Sequence, residues 1–246
     1  EWELARMMYR ASFGRDVADV RMPLHEAQAA FVHSGAHRLA FVAGISTGKS
    51  VVGALRGIRA SLGMVGVGEG AIHLPTPNLG MVTAPTYFML RDASVRTFLD
   101  LAEALVPSFD RSEHFNKSDM VARMPNGSEV LFRSVEHPDR LRGANLSWWW
   151  GDEAALYRGN VRQIMVGRLR EGGRRGYEWL TTTPKGRNWV WQVYGRGREG
   201  YDLVQAQTAD NPFLARDVVD EWATEYSGDF ARQELGGEFI AWRGLV

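Results

Sequence analysis

The stretch "RLAFVAGISTGKSVVGALRGIRASLG", residues 38–63, changes pattern twice along its length. Arg38 to Ala43 is an apolar run of strand length that enters glycine, and from Lys49 the apolar residues recur at helical spacing until Gly63 stops them. The order is strand, glycine loop, helix. The turn itself, "AGISTGKS" (Ala43 to Ser50), fits the phosphate-binding loop pattern, except that Ala43 stands where the first glycine belongs and Gly44 follows one place later. Each part has a chemical task. Gly44, Ile45, Ser46, Thr47 and Gly48 curl backbone N–H groups around phosphate, and the helix N-terminus adds its positive dipole. Lys49 is placed to reach the β and γ phosphates, and Ser50 to hold Mg²⁺. The plainer reading is a glycine turn between a strand and a helix. It is disfavoured by the flanking elements and by the scarcity of lysine: of 29 basic residues only Lys49, Lys117 and Lys185 are not arginine.

The alternation continues downstream. "LGMVTA" (79–84) reads as a strand and "YFMLRDASVRTFLDLAEAL" (87–105) as a long amphipathic helix, after a turn-rich segment at 69–78. Asn126-Gly127 between two short apolar runs (119–134) predicts a hairpin, an antiparallel insertion or sheet edge. "LSWWWGDE" (146–153) is another strand, with helix expected to about Arg170. "YEWLTTTP" (177–184) and "YDLVQAQT" (201–208) are further strands, and 215–226 and 228–239 are closing helices. Residues 1–35 read as a helical and loop lead-in. Strands alternating with helices imply an α/β fold with a mostly parallel sheet covered on both faces.

A loop that binds nucleotide needs a partner for hydrolysis: a carboxylate facing the metal and a group that orients water, at the end of a neighbouring strand. Asp152 and Glu153 stand at such a place. Asp152 is suited to the Mg²⁺ shell and Glu153 to polarising the attacking water, although a strand ending in an acidic helix cap has the same sequence. Trp148, Trp149 and Trp150 cannot form one stacking platform, because consecutive strand residues point to opposite faces; core packing is expected. Arg140 and Arg142, in "DRLRGANL", lie on a glycine-containing loop. They are either surface charges or arginines that reach a neighbouring subunit's γ-phosphate. "TTTPKG" (181–186) ends a strand with hydroxyls, a suitable place to sense γ-phosphate. The arginine-rich turns at 168–176 and 195–200 are read as solvated loops in preference to phosphate-backbone contacts. The six histidines show no metal-ligand spacing and are expected to be surface or packing residues.

At 246 residues with 45% hydrophobic and 24% charged residues the composition is that of a globular chain, and one domain is expected. The formal net charge is +0, so a nucleic acid partner has to be met by a local basic patch. No cysteine excludes disulfides and thiol chemistry. The absence of an apolar run of about 18 residues argues against a membrane span, and a soluble cytoplasmic protein is expected.

Taken in order, "PLHEAQ", "AGISTGKS", "VTAPTYFMLRD", "LFRSVEHPDRLRGANLSWWWGDEA", "TTTPKG", "DNPFL" and "RQELGGEF" resemble the N-terminal ATPase of tailed-phage large terminases, from about Pro23 to Phe239. The resemblance implies a RecA-like ASCE P-loop NTPase with ATP as substrate and Mg²⁺ as cofactor. It implies Gln28 reading adenine, Lys49 and Ser50 on phosphate and metal, Asp152 and Glu153 as the acidic pair, Thr182 and Thr183 as the coupling motif, and Arg142 (alternatively Arg140) as a finger acting in trans. It further implies double-stranded DNA, a portal protein and a small terminase subunit as partners. A homo-oligomeric ring, a pentamer by expectation, would work on a procapsid in the host cytoplasm, with a monomer expected for the isolated domain. The whole chain, 1–246, is then one ATPase domain: a lead-in (1–35), a P-loop core (36–210) and C-terminal helices (211–246). Relatives continue past "LGGEF" into a ribonuclease-H-like nuclease, so nuclease activity is expected only in a longer protein. Many relatives also carry an arginine inside the phosphate loop; Ile45, Ser46 and Thr47 supply none, and Arg38 or Arg140 are the candidates to replace it. The competing readings are a RecA-like helicase or remodelling ATPase, since "TAPT" and "DEA" also resemble helicase motifs, and a nucleotide-gated binding module, against which Glu153 argues.

Overall fold

A computed structural model describes residues 23–66 and 71–241. Most of the expected lead-in lies outside these residues; within them it supplies helix α1 (Glu26–His33). Strand β1 (Arg38–Ala43) and helix α2 (Lys49–Ser61) flank the glycine loop as their pattern requires. The other strands are β2 (Met64–Val65), β3 (Ile72–His73), β4 (Leu79–Ala84), β5 (Phe115–Asn116), β6 (Val121–Arg123), β7 (Glu129–Ser134), β8 (Trp148–Asp152), β9 (Tyr177–Thr182) and β10 (Asp202–Ala206). Eight of them form one sheet in the order β10-β1-β9-β8-β4-β7-β6-β5. All pairs from β10 to β7 are parallel, and only β7-β6 and β6-β5 are antiparallel. The expected hairpin is therefore a sheet edge whose second strand, β7, joins the parallel sheet. The strand order puts β9 between β1 and β8, so the loop after β1 and the carboxylates at the end of β8 share the sheet's C-terminal edge.

The three tryptophans divide between the faces. Trp148 and Trp150 lie in the core on the side of α2, with Phe31, Phe41, Phe98 and Trp179, while Trp149 packs in the second core with Met81, Ile164 and Leu180. All three are fully buried, each removing on the order of 200 Å² from water, or about 5 kcal/mol of gross driving force. Small residues make room for them. A Cβ on Gly53 of α2 would stand 2.4 Å from the Trp150 ring, so the helix closes on the sheet only because no side chain intervenes.

α1 is fixed from below by Arg56 of α2. Its guanidinium donates to the carbonyls of Phe31 (2.7 Å) and Ser34 (2.8 Å), satisfying the helix C-terminus with a positive charge. The side chain is enclosed by the rings of Phe31 and Trp179, and burial lowers its pKa to about 9.

Two expectations need correction. The segment 87–105 is not one uniform helix: α-helical Tyr87–Met89 and Arg96–Leu105 are joined by a π-helical turn, Leu90–Val95. Residues 153–170 are not continuous helix either. A short 3-10 turn, Ala154–Leu156, is followed by a loop and the helix Val161–Val166.

Candidate functional site

The phosphate loop is held by its carbonyls. Thr47 Oγ1 and Lys49 Nζ donate to Gly44 O (2.9 and 2.7 Å), Thr208 Oγ1 to Ile45 O (2.8 Å), Asn211 Nδ2 to Ser46 O (2.7 Å) and Gln28 Nε2 to Thr47 O (2.9 Å). With the carbonyls engaged, and with Ser46 (φ 57°) and Gly48 (φ 77°) in left-handed conformations, the amide groups of Ser46 to Ser50 are left to line a nest at the N-terminus of α2, whereas those of Gly44 and Ile45, also expected to face phosphate, donate to Ala206 O (3.1 Å) and Glu234 O (2.7 Å). Asn211 belongs to "DNPFL", whose place at the loop no spacing rule reveals. His25 Nε2 also lies 3.3 Å from Thr47 O, so this histidine is part of the loop's support and not a surface or core filler.

The departure at Ala43 has a simple account. Ala43 is the last residue of β1, paired with Ala206 and fully buried. The close approach comes one residue later: a Cβ on Gly44 would stand 2.3 Å from Leu235 O. The glycine requirement is thus met at Gly44. Arg38 does not replace a loop arginine. It lies at the far end of β1, about 16 Å away by strand rise, in an ion pair with Glu178 (3.2 Å).

Asp152 ends β8 with its carboxylate almost wholly buried. Oδ1 accepts from Thr181 Oγ1 (2.7 Å) on β9, Oδ2 accepts from Ser94 Oγ (2.8 Å), and Ser50 Oγ lies 3.2 Å from Oδ2. The Trp150 indole donates to Thr181 Oγ1 (2.7 Å), which obliges that hydroxyl to give its own proton to Asp152. The Tyr157 hydroxyl lies 3.0 Å from the Asp152 carbonyl and fixes the backbone. Burial pushes the Asp152 carboxyl up, against the three hydroxyls and Lys49. Sequence reasoning missed Ser94, and it placed Thr181 among the strand-ending hydroxyls without its bond to Asp152. Thr181 was accessible only once β9 was known to lie beside β8, and Ser94 reaches Asp152 from the π-helical turn, which leaves no sequence mark.

Glu153 has φ 48°, a left-handed conformation that costs a residue with Cβ about 1–2 kcal/mol. Such strain is retained where it aims a side chain. Its Oε2 lies 3.4 Å from the Thr183 amide, while Thr182 Oγ1 accepts from Ala155 N (3.1 Å) and donates to Thr183 O (2.9 Å). Thr182 and Thr183 are thus tied to the segment that carries Glu153. Burial and the neighbouring Asp152 raise the Glu153 carboxyl, and Lys49 opposes them. Lys49 itself is lowered by burial, against the pull of Glu153 and Asp152. Gln28 is 4% exposed and also accepts from His25 N (3.2 Å). Arg142 stands apart. It lies half-exposed on the 3-10 turn Pro138–Gly143, paired with Asp139 (2.9 Å), and neighbouring Arg140 is exposed.

Lys185, one of the three lysines and the fifth residue of "TTTPKG", follows β9. Lys185 Nζ donates to Glu234 Oε1 (2.7 Å), beside the phosphate loop.

Residues 88–245 match the family described as terminase large subunit, T4-like virus type, N-terminal. The chain belongs to this family. No curated protein matches it in sequence. Among solved structures, this terminase domain resembles the large terminase ATPase domain of Thermus phage P74-26 at 22% identity and a TM-score of 0.66, over 89% of this chain and 94% of that one. It resembles the large terminase of another thermophilic bacteriophage at 15% identity and 0.72, over 89% and 54%, and that of bacteriophage HK97 at 15% and 0.58, over 94% and 54%. The domain therefore spans about half the length of the latter two terminases. Its α/β fold, a mostly parallel eight-stranded sheet with an antiparallel edge, is that of the terminase ATPases. The second of these three terminases has also been solved with ADP and with ATP-γ-S. No helix among the described residues is long and apolar enough to cross a membrane.

Proposed function

We propose that this domain hydrolyses ATP and that, within a complete terminase, hydrolysis drives double-stranded DNA into a procapsid in the host cytoplasm. The observation that carries the ATPase reading is the contact between the two motifs: Ser50 at the start of α2 lies 3.2 Å from Asp152, with Glu153 the next residue. The loop amides from Ser46 to Ser50 and the Lys49 ammonium would take the phosphates, Ile45 N being engaged by Glu234 O. Gln28, bonded to the loop at Thr47, is proposed for adenine. Ser50 and Asp152 are the residues to hold Mg²⁺. No cluster of three His, Cys, Asp or Glu exists among the described residues, which fits an ion that takes most of its ligands from phosphate and water. When bound, Mg²⁺ would neutralise charge on the β and γ phosphates. Glu153 orients and polarises the attacking water. Thr182 and Thr183, bonded to the Glu153 segment, couple loss of γ-phosphate to the backbone.

Arg142 is the proposed finger for a neighbouring subunit, with Arg140 as the alternative; it is exposed, and its one side-chain partner among the described residues, Asp139, is on the same turn, which suits a side chain that crosses an interface. Arg142→Ala is expected to lose hydrolysis only under conditions where subunits assemble, by a factor of about 10³. Equal loss from a dilute monomer would remove the trans role. A homo-oligomeric ring, the portal protein and the small subunit are proposed as partners on family grounds. The packaging reading is tested by mixing the full-length protein with procapsids, duplex DNA and ATP and measuring nuclease-protected DNA. Protection that depends on ATP supports it; strand separation without protection would replace it with a helicase.

A further inference from the structure

We propose that Lys185 is a second phosphate-binding cation, held by Glu234 until the terminal phosphate of a nucleotide competes for it. The inference rests on the ATP-binding reading of the site. Lys185 follows β9, and β9 lies between the strand that ends in the phosphate loop and the strand that ends in Asp152. Its turn therefore opens onto both. The Lys185 side chain is 41% exposed, whereas that of Glu234 is 11% exposed.

Glu234 is fixed in place and Lys185 is not. The Glu234 carbonyl accepts from Ile45 N (2.7 Å), the next carbonyl, Leu235 O, accepts from Thr208 N (2.8 Å), and Gln233 Nε2 donates to the Glu234 carboxylate (3.1 Å). Gln233 Oε1 in turn accepts from Gly186 N (2.8 Å). Residues 233–235 thus bridge the phosphate loop on one side and the Lys185 turn on the other. Glu234 lies near enough to Lys49 to act on its charge, as does Lys185. Two carboxylates, Asp152 and Glu153, already face Lys49, so a triphosphate entering here gains from a second ammonium. A lysine on a flexible four-carbon stem can exchange one anionic oxygen for another without moving backbone. The exchange releases Glu234, and the helix Gly228–Glu234 then loses one of its ties to the coupling turn.

The test compares Lys185→Met, Lys185→Arg and Glu234→Gln with the unchanged domain in calorimetric titrations with ATP-γ-S and with ADP, with Mg²⁺ present. Lys185→Met is expected to weaken ATP-γ-S about tenfold or more while shifting ADP much less, and Lys185→Arg to retain most of the affinity. Glu234→Gln removes the competitor and is expected to bind ATP-γ-S as tightly as the unchanged domain or more tightly. Equal losses for both nucleotides in Lys185→Met, or a weakened Glu234→Gln with a lowered melting temperature, would mean that the pair is only structural and overturn the proposal. Failure of the unchanged domain to bind either nucleotide would instead sink the ATP-binding reading itself, and this inference with it.

Discussion

Glu153→Ala is expected to keep ATP bound while turnover falls by about 10²–10⁴-fold, the usual contribution of a positioned general base. The reason is positional. Asp152 has its carboxylate engaged by Thr181, Ser94 and Ser50, so it is held on the side of the site proposed for the metal. Glu153 has one long contact, 3.4 Å to the Thr183 amide, and its left-handed backbone turns it away from the path a helix would have taken. Among the described residues Glu153 makes no hydrogen bond to the phosphate loop, and removing its negative charge from beside Asp152 and Lys49 eases the entry of a triphosphate. Affinity should therefore hold or improve. Glu153→Gln, which keeps the shape and hydrogen-bonding reach but not the basic oxygen, should lose as much turnover as alanine. The measurement is single-turnover hydrolysis alongside nucleotide titration. A near wild-type rate in either variant would remove Glu153 from catalysis.

What could be read from the sequence follows the distance over which each feature is encoded. β4 occupies residues 79–84 as its apolar run indicates, and β1 and α2 lie where the change of periodicity places them, because those patterns are local. Lys49, Ser50, Asp152 and Glu153 could be proposed from two short motifs for the same reason, and the structure brings those motifs together. The residues that hold the site came from elsewhere. Thr208, Asn211 and Glu234 reach the loop from the C-terminal segment, and Thr181 reaches Asp152 across a strand pairing. No local pattern encodes such pairings. The ladder of β2 with β3 was hidden, since two-residue strands carry no periodicity and β3 lies in the segment 69–78 that reads as turns. The break after Glu153 was hidden too. The apolar residues of 154–166 suggest a helix, but Glu153 and Gly159 have positive φ, and the helix starts only after Gly159-Asn160.

The second large effect is on stability and comes from Gly80. Gly80→Ala is expected to destabilise the domain by about 3 kcal/mol, the upper end of the usual range for overpacking. Thermal unfolding should fall by about 6–12 °C for a chain of this size. A Cβ at this position would stand 1.9 Å from Trp148, closer than any side chain tolerates, so something has to move. The indole has nowhere to go. Its Nε1 donates to Asn78 Oδ1 (3.1 Å), its ring stacks on Trp179 at 5.2 Å, and its far edge meets Gly57 of α2. Gly80 and Trp148 are also paired in register across β4 and β8, so the strain passes into the strand that ends in Asp152. Gly80→Ala should therefore reduce hydrolysis as well as stability, without touching any group in the site. Adding Trp148→Leu should recover part of the lost stability, since the two substitutions share one contact and are not additive. Gly143→Ala, where an added Cβ meets nothing within 4 Å, serves as the control and should melt close to the unchanged protein. If Gly80→Ala melts with the control, Trp148 is free to shift, and β8 is not held in place by its tryptophans.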